Sequence, residues 1–226
     1  FLSSLHQCRH QIDFDDFPSA SAACLSGKQI EEQIDSRLEI LLIEDNESLN
    51  LFLNKEFIDI LEKMLEWAKA TWPNSDYDLV INRDQQSLSP SDFGFHNALR
   101  GKNGALFFLD FEYFGWDDPV KLMCDFAFHP GMDLSMEMRK YWFQTTLNLY
   151  GEKILPRLNS SWPLYGLCWV LILLNEFRSD IWKRRRAANP TMTDSRSELQ
   201  LRQLERSRQL LKFIDNSVQT QTFDFM

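Results

Sequence analysis

A chain of 226 residues with 44% hydrophobic and 25% charged side chains has the size and composition of one globular domain, able to bury roughly 70–75% of its unfolded surface, which excludes a disordered chain. Its net charge of −9 and pI near 5.0 exclude a general nucleic-acid binder, which needs a basic stripe. Cys8, Cys24, Cys124 and Cys168 lack C-x-x-C spacing, which argues against a zinc site or disulfide scaffold and for a reduced, cytoplasmic setting.

Phe1 to Cys8 is too short and too polar for a signal peptide. His6 and His10 stand at i, i+4 without the glutamate of a zinc-protease motif, so no metal site is expected there. Ile30, Ile34, Leu38 and Leu41 recur with helical spacing, as do Phe57, Ile60, Leu61, Met64, Leu65 and Ala68. The second helix should stop before Pro73, because the residue preceding proline is pushed out of the α region. Tyr77 to Ile81 reads as a short strand. Phe95 to Phe111 reads as a hairpin about Asn103-Gly104, since both loop residues tolerate the positive φ of a type I′ turn.

Beyond Pro130, Ser135 to Tyr150 reads as a helix closed by Gly151, with Met138, Tyr141, Trp142 and Thr145 along one side. Leu164, Leu167, Cys168, Leu171 and Ile172 begin a long helix that continues to about Ala188 and stops before Pro190. A last helix runs from about Arg196 to Asp215. The longest apolar stretch, Trp162 to Leu174, has about 13 residues, whereas a membrane span needs about 20; a buried helix is expected and no membrane partner. Lys183 to Arg186 ends a helix in an acidic chain, where cations face the C-terminal dipole and solvent. The loop Asn189 to Ser195 is too short for a linker and no repeat is visible, so residues 1–226 form a single domain.

The chemistry concentrates in SPSDFGFHNALRGKNGALFFLDFE, residues 89–112. With Asn103 and Gly104 as the loop, Lys102 faces Ala105 and Asn97 faces Asp110; with Gly101 to Gly104 as the loop, the two remain diagonal neighbours on one face. Opposed side chains have Cβ atoms about 4.5–5.5 Å apart, so an amide oxygen and a carboxylate can share one hard cation such as Mg²⁺. Asp92, five residues before Asn97, is placed to accept a proton from a hydroxyl. Asp-x-x-x-x-Asn followed by strand-borne Asp-Phe repeats the phosphoryl-transfer arrangement of protein kinases. Alternation places His96 on the opposite hairpin face, in a packing or surface role.

These residues resemble the aminoglycoside phosphotransferase and choline kinase group, a branch of the protein-kinase-like fold that phosphorylates small molecules. In that group a loop reading roughly His-Gly-Asp-x-x-x-x-Asn precedes Ile-Asp-Phe/Trp, then Gly-Asp-Pro and a structural Asp. This chain supplies Asp92, Asn97, Leu109-Asp110-Phe111, Asp118-Pro119 and Asp125 in that order. Glu112-Tyr113 is more similar to choline kinases than to the antibiotic-modifying enzymes. The resemblance is densest from Ser89 to Pro130 and extends more weakly over the whole chain, with FLSSLHQ similar to the first helix of the second lobe.

The resemblance implies an α+β, predominantly helical fold: the C-terminal lobe of a protein-kinase-like fold with a small catalytic β-hairpin. It implies ATP and Mg²⁺ as cofactors and a small-molecule hydroxyl substrate. In it, Asp92 orients the nucleophile, Asn97 and Asp110 hold metal and nucleotide, and Asp125 accepts backbone N–H bonds that brace the catalytic loop. Asp117 and Asp118 could approach the site, but a turn before Pro119 is the better explanation and makes Asp118 structural support. Glu112 reads equally as a metal or substrate contact and as a solvent-facing residue. Trp162, Tyr165, Trp169, Phe177 and Trp182 would form an aromatic wall for an amine, but their helical spacing favours core packing.

Pro90 stands where the group has its loop histidine, so any hydrogen bond by which that imidazole fixes the loop must be replaced or lost. No glycine-rich loop or strand-borne Lys of a nucleotide-clamping first lobe is visible. The expected activity is ATP-dependent phosphoryl transfer to a hydroxyl, with this chain as the catalytic lobe, poorly active or inactive in isolation. The alternative is a kinase-like binding or regulatory module without transfer chemistry.

Overall fold

Residues 1–9, 11, 17–188 and 195–225 are described by the structure, a computed structural model. His10 and all but the last residue of the predicted loop Asn189 to Ser195 lie outside them. The helices are α1 (Leu2–Cys8), α2 (Gly27–Leu42), α3 (Glu47–Phe52), α4 (Ile58–Thr71), α5 (Pro119–Phe128), α6 (Met136–Tyr150), α7 (Leu155–Leu173), α8 (Ser179–Ala188) and α9 (Arg196–Thr220). The strands, β1 (Ser87–Ser89), β2 (Ala98–Arg100), β3 (Leu106–Phe108) and β4 (Gly115–Asp117), form two small antiparallel sheets, β1 with β4 and β2 with β3. The architecture is therefore α+β and mostly helical.

Polar caps explain where the helices begin. Ser26, Asn46, Asp118, Ser135 and Ser195 each accept a backbone N–H from the first turn that follows. The apolar stripe Ile30, Ile34, Leu38 and Leu41 is the buried face of α2. α4 ends at Thr71, with Trp72 extended before Pro73, as the proline rule requires. At its other end α4 is continuous with α3 through one π turn, Leu53–Phe57. Gly151, at φ +89°, closes α6.

The core is built around α7, where Leu158, Trp162, Leu164, Leu167 and Val170 are all fully buried. It packs against α2, α4, α5 and α9. Pro163 lies inside this helix and has no N–H to give the carbonyl of Asn159. The indole of Trp67 on α4 takes that carbonyl instead, at 3.5 Å. Trp162, Tyr165, Trp169 and Phe177 are buried, so the aromatic series packs the core and forms no continuous wall.

Three expectations need correction. Tyr77 to Ile81 is turn and coil, because its backbone pairs with the start of α2 and the segment before it: Lys28 N–H donates to Tyr77 O and Ile81 N–H to Leu25 O. The strand that leads to the Asp92 loop is β1. The single long helix after Leu164 is two helices, and the first begins earlier, at Leu155. Leu174 and Phe177 turn into the core through a 3₁₀ segment, and Arg178 is extended at ψ 124°. Glu44 then caps α8, accepting from the N–H and the hydroxyl of Ser179, both at 2.9 Å. α9 continues past Asp215 to Thr220 because Ser217 and Val218 are still buried.

Asp118 joins the sheets to this core. It follows β4, caps α5 by accepting from Val120 N–H at 2.9 Å, and receives Nε and Nη2 of Arg157 at 2.6 and 3.0 Å. The residues are 3% and 5% exposed, so neither charge can be hydrated if its partner is lost. Arg157→Met should therefore lower the unfolding free energy by about 3–5 kcal/mol, the usual cost of an orphaned buried charge. Asp118→Asn in the same chain should restore part of it. Urea unfolding of the single and double variants checks this; strictly additive losses would refute the coupling.

Candidate active site

β1 delivers the chain to the loop that carries Asp92. Pro90 is buried, and Ser91 follows in the left-handed region at φ +63°. Two serines hold this turn: Ser91 N–H donates to Ser89 Oγ at 3.1 Å, and Ser91 Oγ to Ser21 O at 3.2 Å. Phe93 anchors the loop from the next position, within stacking range of Phe108, Phe126 and Trp142, while Asp92 stays exposed.

Asn97 is tied to Asp92. Its Nδ2 lies 3.0 Å from Asp92 O and 3.1 Å from Asp92 Oδ2. Both partners are acceptors, so the nitrogen must face them, which leaves the amide Oδ1 as a free acceptor.

The hairpin register differs from both expected ones. Ala98 pairs with Phe108, Leu99 with Phe107 and Arg100 with Leu106, so Asn97 stands opposite Leu109, whose N–H it receives at 2.8 Å. The loop is not a type I′ turn. Gly104 N–H donates to Gly101 O, Gly101 N–H to Ala105 O, and Gly104 alone takes positive φ, +82°. This is the three-residue hairpin with a bulge at glycine. Asn103 Oδ1 accepts from Ala105 N–H at 3.1 Å, which holds Asn103 in the turn without positive φ.

That one-residue slip takes Asp110 out of the ladder. It sits directly after the residue opposite Asn97, in the left-handed region at φ +64°, a conformation aspartate tolerates better than most residues. The Tyr113 phenol is held above the ordinary range by its hydrogen bond to Glu112, by the Glu112 charge, by slight desolvation, and by Asp110 and Asp92. Glu112 is exposed, and its carboxylate is the nearest influence on the Tyr113 phenol, with Asp110 and Asp92 adding to it from farther off. Carboxylate oxygens together with the free Asn97 oxygen are the donor set that suits Mg²⁺.

His96 departs furthest from expectation. Phe95–Asn97 is a 3₁₀ turn, so strand alternation does not apply, and His96 Nε2 comes within 3.0 Å of Asp92 Oδ1. The i, i+4 spacing of Asp92 and His96 was the signal available in the sequence. His129 joins them, and the three offer ligand atoms all within 4.8 Å of one another. A shared metal does not fit this arrangement. The two imidazoles are stacked, with centroids 4.2 Å apart and planes 1° from parallel. An imidazole binds metal in its own ring plane, and parallel planes do not meet. His129 Nδ1 also accepts Gly131 N–H at 2.9 Å, which puts the proton of the neutral ring on Nε2. Burial, with His96 beside it, holds the His129 pKa below the ordinary histidine value.

Asp125 does not accept the loop N–H bonds expected of it. Its carboxylate receives Lys121 Nζ at 2.5 Å and Trp169 Nε1 at 2.9 Å. Burial opposes the Lys121 charge, yet Asp125 and Asp117 outweigh it and keep the amine protonated. The backbone is braced by Asp117, whose Oδ1 accepts from Cys24 N–H at 3.2 Å and Asp118 N–H at 2.8 Å. Asp118 is a helix cap rather than a simple turn residue.

No protein-family model matches this chain, and no curated protein matches it. Among solved structures, it is similar to a choline/ethanolamine kinase family protein from Mesorhizobium loti, with 12% identity, a TM-score of 0.40, and coverage of 89% of this chain and 71% of that one. Among the described residues, no helix is long and apolar enough to cross a membrane.

Asp117 offers a pH test of this frame. Burial pushes its carboxyl up to about 7 from 3.8, against the pull of Lys121, and its Oδ2 has no partner among the described residues. A native carboxyl that binds its proton more tightly than the unfolded one stabilises the fold in acid. The contribution is complete below about pH 4 and is lost as pH rises through 7. Asp117→Asn, which keeps the Oδ1 acceptor, should remove it. The wild-type minus variant unfolding free energy, measured from pH 4 to 8, should fall with pH; a flat difference would contradict the assignment.

Proposed function

We propose that this chain is the catalytic lobe of an ATP-dependent phosphotransferase acting on the hydroxyl of a small molecule. One observation carries the reading: Asn97 is locked onto Asp92 through its amide nitrogen, with its oxygen free, beside an Asp110 held at positive φ. Non-glycine residues in that conformation concentrate at functional sites. The fold neighbour contributes nothing to this argument, which rests on side chains.

In this reading Asp92 accepts the substrate hydroxyl proton, with His96 and Asn97 fixing the orientation of its two oxygens. Asn97 Oδ1 and Asp110 hold Mg²⁺, which when bound neutralises charge on the nucleotide phosphates. Ser91 and Phe93 keep the loop from moving, so catalysis is mostly positioning and charge neutralisation. Asp118 and Asp125 support the site through Arg157 and Lys121 and touch no reacting atom. The exposed apolar face of the hairpin, where Leu99, Phe107 and Leu109 are 59%, 57% and 47% accessible, receives the base of the donor.

The test is Mg²⁺-dependent ATP turnover by an enzyme containing this chain, screened against amino alcohols, sugars and hydroxy acids. Asp110→Ala should abolish metal-dependent turnover, and Asp92→Asn should slow it by about 10²–10⁴-fold, the range for a general base. Full activity in the Asp110 variant would discard the assignment, and nucleotide binding without turnover would favour the regulatory alternative.

A further inference from the structure

Beside Asp92 lies a cavity of about 240 Å³ walled by α2, α5, α7 and the catalytic loop. Gln33 and Arg37, one turn apart on α2, line it opposite Lys121 and Asp125 of α5 and Trp169 of α7. Nearly every polar group in this wall is already matched. Asp125 has Lys121 and Trp169; Gln33 Nε2 donates to Ala22 O; Ser91 Oγ donates to Ser21 O; His129 Nδ1 accepts from Gly131.

Arg37 is not matched in this way. Its Nε is buried and has no hydrogen-bond partner, and among the described residues its guanidinium forms no ion pair. Its charge reaches Cys168 across the cavity wall on α7. An unmatched guanidinium is a fork of donors that fits a carboxylate or phosphate. An ammonium group finds few open acceptors, because Asp125 is taken by Lys121 and Trp169 and Asp92 by His96 and Asn97. Burying donors without acceptors is costly, so the cavity favours a ligand that supplies them.

We infer that this cavity takes a small hydroxy compound bearing an oxyanion, its hydroxyl toward Asp92 and its carboxylate or phosphate on Arg37. The volume is small for a ligand pocket, which limits the molecule to a few carbons. The inference rests on the phosphotransferase reading for what happens at the hydroxyl, but the recognition of charge stands on Arg37 alone.

Binding of glycerate, glycerol 3-phosphate, glycerol and choline to the full chain, read by calorimetry in the absence of nucleotide, tests it. One of the two anions should bind at least about tenfold more tightly than glycerol or choline, the scale of a charge-assisted hydrogen-bond pair, and which anion binds identifies the oxyanion. Arg37→Gln should remove that preference, and Arg37→Lys, which keeps the charge but not the fork, should retain part of it. Choline binding as tightly as either anion, anion binding unchanged in Arg37→Gln, or no anion binding by the folded wild-type chain would overturn the inference. Because the readout contains no nucleotide, an enzyme that held glycerate through Arg37 yet never turned over ATP would lose the phosphotransferase reading and keep this one.

Discussion

The bidentate pair between Asp118 and Arg157 is the contact on which the rest depends. Asp118 stands where β4 becomes α5, and Arg157 is in the first turn of α7, the helix that the others surround. Removing either group leaves a charge that water cannot reach. The pair thus fixes the strand end, the helix cap and the core helix as one unit. β1 is placed by its pairing with β4, and the Asp92 loop by its departure from β1, so the candidate site inherits its position from that buried contact.

Local backbone conformation does the next part of the work. Ser91 and Asp110 both occupy the left-handed region, which non-glycine residues adopt at a cost that surrounding structure must offset. At Ser91 the compensation is visible as hydrogen bonds to Ser89 and Ser21 and as the aromatic packing of the neighbouring Phe93. The result is an exposed carboxylate on a loop that is held from both sides, with an amide clasping it from five residues on.

The electrostatics divide into an inner, matched layer and an outer, unmatched one. Inside, Lys121 with Asp125 and Arg157 with Asp118 neutralise one another, and burial raises the pKa of Asp117. Outside, Asp92, Asp110 and Glu112 bring negative charge to Tyr113, and Arg37 brings a lone cation to the adjoining cavity. The stacked histidines add polarity near Asp92 without forming a metal centre, because their planes are parallel.

The sequence by itself determined the helices whose apolar residues recur on one face, such as Ile30 to Leu41, and the stops imposed by Pro73 and Gly151, since these follow from backbone sterics within a few residues. It also determined that a hairpin turns about Asn103-Gly104 and that Asp92, Asn97 and Asp110 lie on or beside it. Only the tertiary structure decided the register, because the turn residues permit several loops that differ by one residue, and a one-residue slip moves a side chain to the other face. The break at Arg178 needed Glu44, which lies 135 residues from the Ser179 it caps, and the approach of His96 to Asp92 needed a 3₁₀ turn that short-range alternation does not predict. Arg37 and its cavity were beyond sequence reasoning for the same cause: an unmatched donor is defined by what the rest of the fold fails to place beside it.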